Sequence, residues 1–140
     1  MGNLVDVANG TNTLRRFMRA VETAGLLDDL ENKGPFTIFA PTDKAFAQLD
    51  SEKLDALFDD PKRMREVLDN HIVAAKLSSR DMGSEREEKS VGGESLHIVP
   101  HGGIAGLEVN HAHVVISDLE ADNGIVHAID EVLFTGSKAA

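Results

Sequence analysis

Apolar residues in the first part of the chain recur at helical spacing. Leu14, Phe17, Met18 and Val21 fall at i, i+3, i+4 and i+7, which places them on one stripe of a helix that must face a core. Gly25 follows this stripe, where a glycine commonly ends a helix. The pattern therefore predicts an amphipathic helix that stops at Gly25.

A different pattern follows Lys33 and Gly34. The run Phe36–Ala40 is rich in aromatic and branched residues and lies between Pro35 and Pro41, as expected of a buried strand. Three short helices are predicted after it. Their predicted starts are Thr42 as a cap after Pro41, Ser51 as a cap, and Asp60 followed by Pro61 at the first helical position.

The third of these helices carries Met64, Val67, Leu68 and His71 at core spacing. From Ile72 onward, branched residues and glycine-containing turns dominate. Val91–Glu94 predicts a two-residue hairpin turn, and Pro100–Gly103 predicts a looser turn. Because helices gather early and strands gather late, we predict an α+β domain whose helices cover one side of a mainly antiparallel sheet system.

Length and composition fit one ordinary globular domain. The chain has 140 residues, of which 41% are apolar and 27% charged. We expect a single domain over residues 1–140, with a core at about 3–135 and a short C-terminal tail. No segment approaches the roughly 20 apolar residues that a membrane span needs, so we expect no direct membrane insertion.

The formal net charge of −10 argues against nucleic-acid binding, because the surface field repels phosphate. The basic groups are small and lie in helical patterns, where cations usually form a solvated face. The chain has no cysteine, which excludes disulfides, thiol catalysis and thiolate metal sites. The two small basic groups considered for nucleic-acid binding are Arg15, Arg16, Arg19 and Lys62, Arg63, Arg65.

Two segments carry a family resemblance. Gly34–Phe46 closely resembles the first homology box of fasciclin domains, with its strand, proline turn and capped helix. Ile116–Leu133 resembles the second box, with a closing Asn-Gly turn and a final strand. Between them, Leu68–Val73 is similar to the central tyrosine-histidine motif of the family, so the resemblance covers nearly the whole chain.

The resemblance implies a fold and a function. The fold would be a fasciclin-type wedge of two mainly antiparallel β-sheets with an N-terminal helical layer. The function would be adhesion or surface recognition outside the cytoplasm, through a cell-surface or extracellular-matrix protein or glycan, without catalysis and without a cofactor. The chain looks most like small single-domain bacterial members, and we expect a mature form that is secreted, periplasmic or on the cell surface. The alternative is a secreted small-ligand or metal-binding protein.

Candidate binding residues follow from the same resemblance. Asp118–Leu119 matches the acidic-apolar pair implicated in recognition by animal members. Asn70, next to His71, stands where many animal members carry a tyrosine implicated in integrin binding. The alternative for the pair is structural, with Leu119 filling the core and Asp118 capping a short turn.

Other residues are interpreted as structural. His71 lies at a helix end, where the helix dipole favours protonation, and we expect it to hydrogen-bond the turn that contains Thr42 and Asp43. Asn123–Gly124 predicts a tight turn. His127 shares a strand face with apolar neighbours and is expected to be a packed, hydrogen-bonded histidine.

Two chemical alternatives remain weak. Ser117, His127 and Asp130 could be drawn as a hydrolase triad, but no nucleophile elbow supports it. His111 and His113 could share a strand face and bind zinc or copper with other histidines, although solvent-facing side chains are the commoner outcome. We therefore predict neither catalytic residues nor a bound metal. The histidines that could complete such a metal site with His111 and His113 are His97 and His101.

Overall fold

The computed structural model describes residues 2–78, 86–93, 95–102, 106–110 and 112–132. Helices dominate the first half of the chain, and a short 3-10 turn over Asn12–Leu14 leads into the second of them. The helices are α1 Leu4–Asn9, α2 Arg15–Ala24, α3 Leu27–Asn32, α4 Asp43–Ala47, α5 Ser51–Phe58 and α6 Pro61–Asp69.

One early strand and six later ones form the sheet system, in the order β2-β1-β7-β6-β5-β4-β3. Neighbouring strands in this order are antiparallel except β1 and β7, which run parallel. The strands are β1 Phe36–Pro41, β2 Ile72–Val73, β3 Arg86–Lys89, β4 Ser95–Gly102, β5 Gly106–Val109, β6 Ala112–Ala121 and β7 Gly124–Ile129.

The two ends of this strand order meet at a seam. Val73 of β2 forms an isolated bridge with Ser90, and the Val91 amide donates to the Ile72 carbonyl at 2.7 Å. The seam pairs main-chain groups that an open sheet would leave at its edges. The α+β prediction, with a mainly antiparallel wedge and a helical layer, is confirmed, but the parallel β1–β7 pair was not predicted.

Two hydrophobic cores lie on opposite faces of β1 and β7. Ile38 and Ala40 of β1 pack with the helices, whereas Phe39 faces a second core between the sheets. The same alternation places Val126 and Ala128 of β7 toward the helices and Ile129 toward the second core. Both strands are buried on both faces, as is usual for parallel neighbours.

Several predicted helix boundaries agree with the structure. Gly25 ends α2 in the left-handed conformation with φ 72°, and the Thr42 hydroxyl caps α4. Asp60 caps α6 through its carboxylate, with Pro61 as the first helical residue. The Ser51 prediction was wrong by one position, because Asp50 is the cap residue of α5 and Ser51 already belongs to the helix.

The two loop predictions in the second half were also inexact. Lys89 pairs with Ser95, so the connection between β3 and β4 is longer than the two-residue hairpin predicted at Val91–Glu94. Its turn is closed by the Gly93 amide donating to the Ser90 carbonyl, and Glu94 lies outside the described residues. The turn predicted at Pro100–Gly103 lies too early, because β4 continues to Gly102; Gly103 is outside the described residues.

Candidate functional site

Asn123, at the turn between β6 and β7, joins the helical layer to the sheet. Its side-chain oxygen accepts from the Leu4 amide at 2.9 Å. Its side-chain nitrogen donates to the carbonyls of Leu30 at 2.8 Å and Lys33 at 2.6 Å, and its own carbonyl accepts from Phe36. The sequence predicted only a tight turn here, whereas the structure shows that one residue holds α1, the end of α3 and the start of β1.

Gly124 follows Asn123 because β1 passes directly over it. A Cβ atom at Gly124 would lie 2.1 Å from the carbonyl oxygen of Phe36. Gly34 approaches the same turn, and a Cβ there would lie 2.5 Å from the Asn123 carbonyl oxygen. Glycine is therefore required at both positions for close backbone approach, and Gly34 also has a positive φ of 151°.

His127 is fully buried in β7, as the sequence predicted. Its Nδ1 accepts from the Asp118 amide at 3.1 Å, so the ring proton resides on Nε2, which donates to the Leu77 carbonyl at 2.8 Å. Its ring stacks on Phe39 with centroids 5.6 Å apart. Burial lowers the pKa of His127, against the opposing effects of the Leu77 carbonyl and the Asp118 charge, so the ring is neutral at pH 7.

The hydrolase triad drawn from Ser117, His127 and Asp130 does not assemble. Both ring nitrogens of His127 are engaged by main-chain groups, so neither is available as a general base. Asp130 instead accepts from the His113 amide at 2.8 Å.

Asp118 lies in a β-bulge of β6. Ile116 pairs with Ala128 and Leu119 pairs with Val126, so Ser117 and Asp118 together face the single residue His127. Asp118 is exposed and has φ 60°, a left-handed conformation that is uncommon for residues other than glycine but is tolerated best by asparagine and aspartate. We call residues 117–119 the Asp118 bulge.

The two members of the predicted acidic-apolar pair have different surroundings. Leu119 is half-buried and packs against the helix-side core, which is the environment expected for a structural leucine. Asp118 is exposed, and its amide donates to the buried ring of His127. The bulge thus contains an exposed acidic residue whose backbone is hydrogen-bonded to a buried histidine.

His71 is buried at the end of α6, where it hydrogen-bonds main-chain groups of α6 and β1. Its Nδ1 donates to the Val67 carbonyl at 2.8 Å within its own helix end, and its carbonyl accepts from the Phe39 amide. Complete burial lowers the pKa of His71 to about 4, so desolvation outweighs the helix-end effect that had suggested protonation. His71 attaches the end of α6 to β1 through its backbone.

The turn that contains Thr42 and Asp43 is held by several hydrogen bonds, and its contact with His71 stays a prediction. The Thr42 hydroxyl accepts from the Ala45 amide at 3.2 Å, and the Thr42 amide donates to the Ile129 carbonyl at 2.9 Å. Asp43 accepts from the Arg16 amide at 2.8 Å and thereby caps the start of α2 from another helix.

Asn70 belongs to the seam between the sheet edges. It is 4% exposed, and its side-chain oxygen accepts from the Ser90 hydroxyl at 3.4 Å. Gly92 lies against it, since a Cβ there would be 2.5 Å from that oxygen. The binding role of Asn70 and His71 stays a prediction, and their burial favours a structural role.

The metal candidates are only partly described. His111 and the side chain of His101 lie outside the described residues. His113 is exposed, 3.8 Å from carboxylate oxygens of Glu108 and Asp130, and His97 lies 3.8 Å from Glu87. Among the described side chains, no group of three or more histidines and acidic residues is arranged to hold a metal ion.

Thr37 is a buried polar residue that the sequence did not single out. Its hydroxyl donates to the Ala75 carbonyl and accepts from the Leu77 amide at 2.7 Å, which positions the segment whose carbonyl binds His127. A polar residue inside the apolar run Phe36–Ala40 was the available signal, because buried hydroxyls require partners.

No helix in the described parts of the chain is long and apolar enough to cross a membrane.

Comparison with known proteins gives a consistent family match. The fasciclin domain model matches residues 12–135. The uncharacterized protein sll1735 of Synechocystis is 38% identical over 136 residues, covering 97% of this chain and 100% of that protein. The transforming growth factor-beta-induced protein ig-h3 of Sus scrofa is 32% identical over 95% of this chain, which spans only 19% of that protein.

A solved structure shows the same fold. The FAS1 domain pair from the insect cell adhesion molecule fasciclin I matches with a TM-score of 0.83 at 19% sequence identity. The match covers 95% of this chain and 51% of that chain, so this chain corresponds to about half of the pair.

Proposed function

The chain belongs to the fasciclin domain family, and on that premise we propose that it is a non-catalytic adhesion or surface-recognition module. It acts outside the cytoplasm and binds a protein or glycan partner. The solved relative with the same fold comes from a cell adhesion molecule, which supports the adhesive part of the proposal.

The observation that carries the proposal is the geometry of the Asp118 bulge. Asp118 is exposed, and its backbone is hydrogen-bonded to buried His127, so little backbone freedom is lost when the residue binds a partner. Such an acid can accept hydrogen bonds from a partner or complete the coordination of a partner's metal ion. The non-catalytic part is supported by His127, whose two nitrogens are already engaged.

A binding array of surface and matrix proteins and glycans tests this function. Asp118→Ala removes the carboxylate of the bulge. Asp122→Ala is the matched control, because Asp122 is an exposed acid in the turn of the same β6–β7 hairpin. We expect at least one ligand that binds wild type and Asp122→Ala but loses about tenfold or more in affinity with Asp118→Ala. Equal binding by both variants would contradict a role for the bulge.

A groove supports a second candidate, small-ligand binding. It has a volume of about 670 Å³, within the range of roughly 300–1,000 Å³ that is usual for ligand sites. Val115, which is 55% exposed, lines the groove together with Lys44 and Gln48. The remaining described lining residues are Thr13, Thr42, Asp43 and Asp130.

A thermal-shift screen separates this candidate from adhesion. A ligand of the groove should raise the melting temperature of wild type and lose that effect in Val115→Lys, with Val91→Lys as a control at an exposed valine outside the groove. A screen without any stabilising compound, or one in which both variants respond like wild type, rejects the groove as a ligand site.

A further inference from the structure

A small cleft on the helical side is lined by two arginines and one aromatic ring. It lies between α2 and α5 and has a volume of about 240 Å³. Arg16 and Arg19 are three residues apart on α2 and therefore share a helix face. The described lining residues are Arg16, Arg19, Leu54, Asp55 and Phe58.

Phe58 fixes the position of one guanidinium. The Arg19 guanidinium carbon lies 5.5 Å from the centroid of the Phe58 ring, a cation–π distance. Phe58 itself is half-buried and packs against fully buried Phe46, with ring centroids 6.4 Å apart. Because the ring is anchored in the core, Arg19 has less rotamer freedom to lose when it binds an anion.

The cations of this cleft are not neutralised within the described part of the protein. Neither Arg16 nor Arg19 makes an ion pair there, and Asp55 lies in the same cleft without pairing with either. Arg65, by contrast, lies 3.4 Å from an oxygen of Asp29. Two guanidiniums that make no ion pair with the described residues are thus available to an anion, although the chain as a whole has a net charge of −10.

Asp55 narrows the chemistry of the ligand. A bare phosphate or sulfate ester would face the arginines but repel the Asp55 carboxylate. A sugar acid carries both a carboxylate, which matches the planar arginine fork, and hydroxyl groups, which donate to Asp55. We propose that the Arg16–Arg19–Phe58 cleft binds the carboxylated sugar of an acidic polysaccharide.

The cleft holds only one sugar-sized group, so single-site affinity is low and attachment depends on many domains engaging one polymer. This inference goes beyond the Asp118 bulge, since it concerns α2 and α5 instead of β6. The Asp118 bulge is tested by Asp118→Ala on the binding array, whereas the cleft is tested by arginine variants on an acidic polysaccharide, so failure of one proposal is distinguishable from failure of the other.

Polygalacturonate binding to surface-immobilised protein tests the cleft, with dextran as the uncharged polymer. We expect the double variant Arg16→Gln/Arg19→Gln to reduce affinity for polygalacturonate about tenfold or more, while dextran does not bind. The control is Lys62→Gln/Arg63→Gln, which removes the same charge from exposed positions on α6 and should change affinity less than about twofold. Matching melting temperatures verify that both variants are folded.

Dextran sulfate and a single-stranded oligonucleotide test the ligand class. We expect wild type to prefer polygalacturonate over both, and Asp55→Asn to reduce the preference over dextran sulfate. Equal loss of polygalacturonate binding in the two double variants would identify non-specific charge attraction and overturn the proposal. The proposal would also be overturned if wild type bound the oligonucleotide or dextran sulfate more tightly than polygalacturonate, or if it did not bind polygalacturonate at all.

Discussion

The β6–β7 hairpin contains two irregular points with opposite surroundings. At the Asn123 turn, every polar group of the side chain is bonded to another segment, and β1 passes within contact of Gly124. At the Asp118 bulge, the carboxylate is exposed and the backbone is held from beneath by the ring of His127.

The difference indicates where this fold tolerates functional variation. A substitution at the Asn123 turn disturbs the junction of the helical layer and the sheet, so its effect is on stability. A substitution at the Asp118 bulge alters the exposed surface while the buried histidine still fixes the backbone. We therefore expect stability to depend on the turn and recognition to depend on the bulge.

The largest effect should come from Gly124→Ala. The new Cβ would lie 2.1 Å from the carbonyl oxygen of Phe36, and only movement of the backbone can relieve that overlap. We expect a loss of about 4 kcal/mol in the free energy of unfolding, measured by urea denaturation. Gly10→Ala is the control, because a Cβ atom at Gly10 would lie 3.5 Å from its nearest neighbour, the Asp6 carbonyl oxygen, and the φ angle of Gly10 is −78°. Similar midpoints for both variants would show that β1 does not require a glycine here.

Asn123→Ala should follow, with a loss of about 3 kcal/mol. It removes the hydrogen bonds to the Leu4 amide and to the Leu30 and Lys33 carbonyls, leaving those groups without their partner. Asn32→Ala, which removes bonds only within α3, should lose less than about 1 kcal/mol in the same denaturation experiment. A loss at Asn123 no larger than at Asn32 would remove the contrast between turn and bulge.

Lowering the pH should reduce stability by less than Asn123→Ala does, and part of this loss should come from His127. The folded-state pKa is lowered to about 4 for His71 and is also lowered for His127, whereas the unfolded histidines titrate near 6.5. Below pH 6.5 the unfolded state therefore binds more protons, so stability falls as pH falls toward 4. His71 alone should contribute a loss of about 2 kcal/mol by pH 5.

His127→Asn separates the two histidines. Asparagine retains an oxygen that can accept from the Asp118 amide but does not titrate, so this variant should be less stable at pH 7 and lose less stability between pH 7 and pH 5 than wild type. Urea denaturation at both pH values gives the comparison. An unchanged or steeper acid loss in the variant would exclude His127 as a contributor.

The smallest stability effect should come from Asp118 itself. Asp118→Gly removes the carboxylate and relieves the left-handed conformation at φ 60°, so we expect a change of less than about 1 kcal/mol, in the stabilising direction. Asp118→Ala keeps a Cβ at this conformation and should be the less stable of the two. If either variant lost as much stability as Asn123→Ala, the bulge would be structural and its proposed recognition role would fail.

Much of the fold was predictable from local patterns. The stripe from Leu14 to Val21, the cap at Thr42 and the proline after Asp60 specify helices through contacts within a few residues, and the structure confirms them. The Ser51 prediction failed because both Asp50 and Ser51 are suitable cap residues, and sequence alone could not choose between them.

The candidate site was less predictable. His127 was expected to be buried and hydrogen-bonded because it lies among apolar residues in a strand, and it is. The predicted protonation of His71 was wrong because the amount of water excluded from a side chain depends on every element packed over it. The hydrogen bonds from Asn123 to α1 and α3 were not predicted, because the partners Leu4 and Leu30 are distant from Asn123 along the chain.

The sequence alone determined the helix and strand periods, the turn at Asn123–Gly124 and the family boxes, since these features depend on interactions between near neighbours. Only the tertiary structure decided that Asn123 joins α1, the end of α3 and β1, that Asp118 is exposed in a bulge, and that Arg19 lies over Phe58. Hydrogen bonding, exposure and charge pairing at these residues depend on segments brought together by folding, which no local pattern specifies.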